Sequence, residues 1–402
     1  MTADPPPETV GSTPLPPSSV PLATIAREWL RIGCIGFGGP PTHISLLRRL
    51  CVEDRGWLSA EEFEHGIAAT NLLPGPASTQ LAILCAWRLR RTAGAVLGGL
   101  CFILPGLVVI LALSVLFFSG HPARWVLGAA AGAGAVVAAV ALKAAIGLMP
   151  ASWRRAGTAQ GPRIRWSLYL AVGAAAAATT GSFLVVVLIG CGLVEVGWRR
   201  WRFHEAPGLN MVALPAFGAV AAAGGGLAAL AWVALKVGAL SFGGGFVIVP
   251  LMQADAVHQY HWMTGAQFLN AVALGQVTPG PVTQTVAVVG YAAGGLAGGL
   301  LASAVAFAPS FLVVLVGAPH FDRLRSNPSV QHFLSGAGPA AIGAIAGAAV
   351  PLALALSHLW QLPVLAGAAL WMLALRRGTV GTLLAAGALG VVLALCGLPV
   401  SV

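Results

Sequence analysis

The sequence predicts an all-α, polytopic membrane protein made of two homologous, inverted repeats whose helices are broken. Its composition is the first indication: of 402 residues, 57% are hydrophobic and 8% are charged, whereas a soluble domain carries about 25% charged residues. Several apolar runs reach the roughly 20 residues that a membrane-spanning helix needs. They are continuous rather than alternating, which argues against a membrane β-barrel. These runs are residues 92–118, 125–150, 166–198, 227–251, 330–356 and 378–398.

The distribution of positive charge is the second indication. The net charge is +10, and the arginines cluster at the ends of apolar runs, which is typical of loops on the cytoplasmic side of a membrane. We therefore expect this positive charge to orient the protein in the lipid bilayer rather than to bind a nucleic acid. The six cysteines form no CxxC pair, and His258 and His261 have too few neighbouring ligands for a metal site, so no cofactor or metal is expected.

An internal repeat is the third indication. Phe37-Gly38-Gly39 recurs as Phe242-Gly243-Gly244, an offset of 205 positions (242 − 37). The same offset relates Pro74-Gly75-Pro76 to Pro279-Gly280-Pro281, and further on it becomes 204. Two copies of one unit are therefore expected. The predicted division is a disordered Pro-rich tail (1–21), a first repeat (22–198), a basic linker (199–210) and a second repeat (211–402).

The basic loops predict that the two repeats are inverted. Arginines follow the second and fourth apolar segments of the first half, but in the second half they follow the third segment and interrupt the last run. Because basic loops face the cytoplasm, this change of parity predicts opposite orientations, as in transporters with inverted repeats. We expect about five to six spans per repeat, and roughly ten to thirteen in all. Run 166–198 is either one long tilted span or two short ones.

Two breaks in each repeat form the candidate site. Phe-Gly-Gly and Pro-Gly-Pro cannot continue a helix smoothly, because Gly relaxes the backbone and Pro lacks an N–H. Non-helical backbone at membrane depth is tolerated only inside protein or facing water. Hydroxyl and amide side chains follow each Pro-Gly-Pro, and Pro at a first helical position would leave an open helix N-terminus, a ready anion site. The alternative is a simple kink, but four symmetric breaks favour a site.

Cations precede the first break of each repeat. Lys236 and Arg31 each lie seven positions before a break glycine, and a cation inside the membrane is a functional candidate. We expect Lys236 to be unpaired and to bind an anionic substrate, whereas Arg31 can also snorkel to the interface. His43 either donates to an anion, carries a proton or is a packed residue. Glu195 is expected at the lipid interface, and Lys143 either gates or snorkels.

These residues resemble the chromate ion transporter family, long two-domain type. The resemblance is carried by "GFGGPPTHISLL" and "NLLPGPASTQLA" in the first half, and by "KVGALSFGGGFVIVPLM" and "NAVALGQVTPGPV" in the second. It covers residues 22–400 and departs at Gly36, where Ser or Thr commonly precedes the Phe. The candidate substrate-binding residues are Arg31, Phe37, Gly38, Gly39, His43, Pro74, Gly75, Pro76, Ser78, Gln80, Lys236, Ser241, Gly243, Gly244, Gly245, Gln276, Pro279, Gly280, Pro281 and Thr283.

The resemblance implies export of chromate across the inner, cytoplasmic membrane and chromate resistance. The break motifs by themselves indicate an oxyanion without specifying chromate. Transport of sulfate or another tetrahedral oxyanion is therefore the alternative function. An integral-membrane enzyme is the weaker alternative, because the apolar runs hold almost no acids and no clustered His. The expected partners are the oxyanion and the bilayer, and a homodimer is left open.

Overall fold

The computed structural model describes residues 20–71, 73, 75–179, 183–203, 226–241, 246–318 and 327–400. These residues are helical without any strand, as predicted. The Pro-rich segment 1–19 and most of the expected linker lie outside the described residues. The linker's first residues, from Arg199, belong to a helix that ends at Phe203.

The first half contains eight α-helices within the described residues. They are α1 (Leu22–Ile35), α2 (Pro40–Arg48, followed by a π-helical turn at Arg49–Asp54), α3 (Ala60–Thr70), α4 (Ala77–Phe117), α5 (Arg124–Ala135), α6 (Val137–Arg155), α7 (Gln160–Thr179) and α8 (Leu184–Phe203). Run 166–198 is thus divided between two helices, α7 and α8.

The second half repeats this order with shorter elements near its end. They are α9 (Leu227–Leu240), α10 (Ile248–Gln253, followed by a π-helical turn at Ala254–Gln259), α11 (Gly265–Val277), α12 (Thr285–Gly317, preceded by a 3₁₀ turn at Val282–Gln284), α13 (Pro328–Leu354), α14 (Gln361–Ala369, followed by a π-helical turn at Leu370–Ala374) and α15 (Thr379–Leu395).

Local details confirm the repeat. Both third helices begin with a capping box: Ser59 caps α3 with Glu62, and Thr264 caps α11 with Gln267. Each box satisfies two backbone donors that a helix start would leave unpaired. The π-helical turns Arg49–Asp54 and Ala254–Gln259 are also 205 positions apart. Side chains and backbone therefore repeat together.

The fourth helix of each half is a helical hairpin rather than one straight span. Backbone dihedrals leave the helical region at Arg90 and Arg91, and again at Gly294 and Gly295. A Cβ atom placed on Gly98 would lie 2.6 Å from the Cβ of Ala86, although residues twelve apart on a straight helix are separated by about 18 Å. Residues 77–89 therefore fold back against 92–117, and 285–293 against 296–317.

The long arms of the two hairpins show that the repeats are inverted. A Cβ atom on Gly99 would lie 2.5 Å from the ring of Phe311, and one on Gly299 would lie 2.6 Å from Leu111 Cδ2. Because Gly99 contacts Phe311 while Leu111 contacts Gly299, the two equivalent arms pack antiparallel to each other. This contact confirms the orientation that the basic loops predict.

The later helices of each half pack on the other half. Helix α13 packs against α7 and α8, and α15 packs against α5. Small residues make the approach close: a Cβ on Gly128 would lie 2.5 Å from the carbonyl oxygen of Gly390, a spacing typical of helix pairs in membranes. The two halves thus form one interlocked helical body.

Helix length agrees with a polytopic membrane protein. Four helical stretches within the described residues are long and apolar enough to cross a bilayer: Ala77–Phe117, Arg124–Arg155, Val282–Gly317 and Pro328–Leu354. Apolar helices such as α9 and α15 are shorter, with 14 and 17 residues. Helix α9 ends at Leu240, just before the second Phe-Gly-Gly motif, so it is one of the interrupted helices that the glycine and proline motifs predict.

Candidate functional site

The breaks are real interruptions of the helices. Helix α1 ends at Ile35 and α2 begins at Pro40, with Gly38 and Gly39 at φ of 97° and 78°. Gly75 and Gly280 have φ of 124° and 92°, a region that side chains other than glycine rarely adopt. Pro76 and Pro281 stand one position before the first helical residue, so they act as N-cap residues, and their prediction as first helical residues is wrong by one position.

The breaks of the two halves meet. The backbone N–H of Gly280 donates to the carbonyl oxygen of Gly36 over 2.9 Å, and a Cβ on Gly39 would lie 3.5 Å from Val282 Cγ2. Gly75 faces the second half in turn, because a Cβ there would lie 3.4 Å from Ser310 Oγ. The first Phe-Gly-Gly break thus lies beside the second Pro-Gly-Pro break.

His43 connects two parts of the first half's site. Its ring is fully buried, with Nε2 2.9 Å from the Gly36 carbonyl oxygen and Nδ1 3.2 Å from Ser78 Oγ. A carbonyl oxygen only accepts, so Nε2 donates to Gly36 and Nδ1 accepts from the Ser78 hydroxyl. Both ring nitrogens are engaged by the protein, which favours the packed interpretation of His43 in this conformation.

Buried polar atoms without a partner surround the breaks. Within the described residues, no hydrogen bond reaches Thr79 Oγ1, Ser241 Oγ, Gln276 Nε2, Gln284 Oε1 or Ser310 Oγ. Leaving a buried polar group unpaired costs about 1–3 kcal/mol. Several such groups in one region indicate a site that water or a polar ligand completes.

A large cavity joins these breaks to a basic surface. Its volume is about 1290 Å³, more than the roughly 300–1,000 Å³ of most ligand pockets. Gly38, Asn71, Ala77, Phe246 and Gln276 line what we call its inner end, so residues in or next to the breaks of both halves face it. The cavity is therefore better described as a vestibule that leads to the breaks than as a fitted pocket.

The outer wall of this cavity is cationic. Four cations and one acid from the described residues line it: Lys143, Arg154, Arg155, Arg199 and Glu195. Glu195 is buried, and it accepts from Arg165 over 2.8 Å, from Arg199 over 2.7 Å and from the Tyr169 hydroxyl over 3.1 Å. Its expected place at the lipid interface stays a prediction, but its carboxylate is occupied by protein donors. The spacing of Glu195 and Arg199, one helical turn apart, is the signal that could have found this pair.

The two cations that precede the breaks are both paired. Lys236 Nζ lies 2.7 Å from Asp255 Oδ2, with side chains 17% and 6% exposed. Arg31 Nε lies 3.1 Å from Glu28 Oε2, and its side chain is 56% exposed. The expectation of an unpaired Lys236 is therefore wrong, because the break after α9 folds Asp255 back onto it. Neither cation lines the cavity.

The remaining predicted residues divide into four groups. Phe37 is exposed, and Gly38 and Gln276 line the cavity. Ser78, Gln80, Ser241 and Thr283 are buried beside the breaks. Pro74, Gly243, Gly244 and Gly245 lie outside the described residues. Asn71 and Ser310 reach the site without having been predicted, and in the described residues no cluster of three His, Cys, Asp or Glu side chains is arranged to hold a metal.

Comparison with known proteins gives one consistent result. The family model described as "Chromate transporter" matches residues 23–196 and 228–392. The chain is 33% identical to the "Chromate transport protein" of Cupriavidus metallidurans, with 88% of each chain covered. It is 30% identical to the "Probable chromate transport protein" of Synechococcus elongatus, covering 82% of this chain and 84% of the relative. No solved structure matches the chain significantly.

Proposed function

The chain belongs to the chromate transporter family, and from this premise we propose that it exports chromate across the cytoplasmic membrane and so confers chromate resistance. One observation carries the proposal: the inner end of the cavity combines the glycine backbone of Gly38 with Gln276, whose buried Nε2, like several buried polar atoms beside the breaks, has no hydrogen-bond partner among the described residues. Chromate is a tetrahedral dianion, and backbone N–H groups at helix starts are suited to binding such an anion.

Two helix starts support an anion at this place. Residues 77–89 and 282–293 begin directly after the two Pro-Gly-Pro breaks. Their first N–H groups have no partner within the helix, so the positive ends of their dipoles lie at the breaks. Thr79, Gln284 and Ser310 add hydroxyl and amide groups within the same region.

Physical reasoning also favours export. A membrane potential that is negative inside drives an anion outward with about 2.3 kcal/mol per charge per 100 mV, or about 4.6 kcal/mol for a dianion. Uniport down this potential therefore suffices, and exchange for a proton or another anion is compatible with the same site.

A transporter of sulfate is the second candidate. Sulfate has the same shape and charge as chromate, and a cavity of about 1290 Å³ does not select between them by size. An enzyme is disfavoured, because the relatives are named as transport proteins.

Uptake into everted membrane vesicles tests the proposal. Vesicles that contain the protein should accumulate labelled chromate in a saturable way, and excess sulfate should compete less well than unlabelled chromate. Vesicles that contain a correctly inserted Gly75→Leu variant provide the matched control and should not accumulate chromate. Uptake of sulfate alone would favour the second candidate, and uptake of neither anion would overturn oxyanion transport.

A further inference from the structure

Three cations on the cavity wall have no acidic partner. Lys143, Arg154 and Arg155 all belong to α6 and line the cavity, and none forms an ion pair with a described acid. Lys143 Nζ donates to the carbonyl oxygen of Arg377, a contact that orients the ammonium group without cancelling its charge. By contrast, Glu195 pairs with both Arg165 and Arg199, so this cluster keeps a single net positive charge. Most of the uncompensated positive charge of the wall therefore comes from one helix, α6.

These cations are spaced along the route to the breaks. Lys143 precedes Arg155 by twelve positions, so it lies about 18 Å deeper along the helix axis. The cavity also reaches Ala156, directly after α6, and Pro162, in the first turn of α7, which places its outer end at the connection between these helices, flanked by Arg155 and Arg163. An anion would meet Arg154 and Arg155 first, then Lys143, and then the breaks.

The second repeat lacks cations at the positions equivalent to these three. The positions 204 further on are Gly347, His358 and Leu359, none of which is always cationic. In an inverted repeat, the cavity that opens to one face is related by pseudosymmetry to the cavity that opens to the other. A positive wall in one repeat alone thus distinguishes the two faces of the protein.

We propose that Lys143, Arg154 and Arg155 form an anion-collecting vestibule on the cytoplasmic face, which captures tetrahedral oxyanions before they reach the breaks. This inference rests on the proposed function for its substrate, and it adds the side from which the substrate is collected. A charged cleft with low-dielectric walls raises local anion concentration and association rate by about 10- to 1000-fold. Because the opposite face lacks such a wall, capture there is slower.

The potential of the vestibule can be measured without transport. In a background lacking the native cysteines, Ala151→Cys places a thiol on the cavity wall between Lys143 and Arg154. A negatively charged methanethiosulfonate should modify it about ten-fold or more faster than a positively charged one of similar size. The ratio should fall towards one when Lys143, Arg154 and Arg155 are all replaced by Gln, and also with added salt. Arg124→Gln is the matched control. Arg124 is the first residue of α5, at the end of that helix away from α6, and donates to the carbonyl oxygen of Leu398, so its replacement should leave the ratio unchanged.

Transport kinetics supply the second readout. In everted vesicles, the triple Gln variant should raise the KM for chromate about ten-fold with kcat within about two-fold, because capture is weakened while the break site is intact. In right-side-out vesicles the KM should not change. An unchanged thiol reactivity ratio in the triple variant overturns the vestibule even if chromate is transported. If the thiol reactivity ratio falls as expected in the triple variant but the protein without these substitutions takes up no chromate, the proposed function is overturned and the vestibule stays in place.

Discussion

Lys236 and Asp255 show how the breaks alter the environment of single residues. They are 19 positions apart, yet both side chains are largely buried and their charged atoms lie 2.7 Å apart. Their ion pair joins α9 to the π-helical turn that follows α10. Its position away from the cavity indicates that it holds the broken element in shape rather than binding the anion directly.

We expect Lys236→Gln to destabilise the protein before it affects substrate affinity. Removing one partner of a buried pair typically costs about 3–5 kcal/mol, because the other charge stays buried without compensation. Thermal unfolding in detergent should show a clear loss of stability, and the double variant Lys236→Met with Asp255→Leu should recover much of it. Arg31→Gln is the matched control and should have a small effect, since Arg31 is exposed and Glu28 keeps Arg55 as a partner.

The result that would contradict this role is specific. A Lys236→Gln protein with normal thermal stability and greatly weakened chromate binding would show that the lysine contacts the substrate. The pairing with Asp255 would then be a property of this conformation alone.

At the scale of the element, the breaks differ in what a side chain would meet. A Cβ on Gly75 would collide with the side-chain amide of Gln80. A Cβ on Gly280 would lie 3.4 Å from Nε2 of Gln284, which is an ordinary contact distance. Both glycines have positive φ, so alanine at either position costs about 1–2 kcal/mol of backbone strain. The two breaks therefore respond differently to the same substitution.

We expect Gly75→Ala to reduce chromate uptake more than Gly280→Ala, because only the first adds a steric collision to the strain. The matched control is Gly147→Ala, which lies on the cavity wall with open space around its Cα and no positive φ. Initial uptake rates in everted vesicles, normalised to the amount of inserted protein, provide the measurement. Equal, unreduced rates for all three variants would show that the breaks do not shape the site.

At the scale of the whole molecule, the inverted repeat predicts the side of each hairpin turn. Arg90 and Gly294 occupy equivalent turns, 204 positions apart. We expect a cysteine at Arg90 to be labelled from the cytoplasm and one at Gly294 from the opposite side, in a background without native cysteines. A cysteine at Arg325, which lies outside the described residues, should also be labelled from the cytoplasm. Labelling of Arg90→Cys and Gly294→Cys from the same side would contradict the inversion.

The sequence predicts the architecture better than the partners of single residues. Glycine and proline act on their own backbone, so the breaks around Gly38, Gly75 and Gly280 could be located from residue type and spacing. Arginine clusters report the side of a loop, so the inversion was also predictable. The partner of Lys236 could not be predicted, because a break decides which distant segment folds back onto it. The hairpin turn at Arg91 could not be predicted either, because Arg91 has a φ of 48° and arginine is not a residue type that indicates a turn.

The central claim is that a tetrahedral oxyanion binds where the breaks of both halves meet. Anomalous diffraction at the chromium edge, from crystals of the protein grown with chromate, tests it most directly. We predict a chromium peak at the inner end of the cavity, near Gly38, Ala77 and Gln276, with any weaker peak close to Arg154 and Arg155. Chromium found only at the outer wall, or bound away from the cavity altogether, would contradict a substrate site at the breaks.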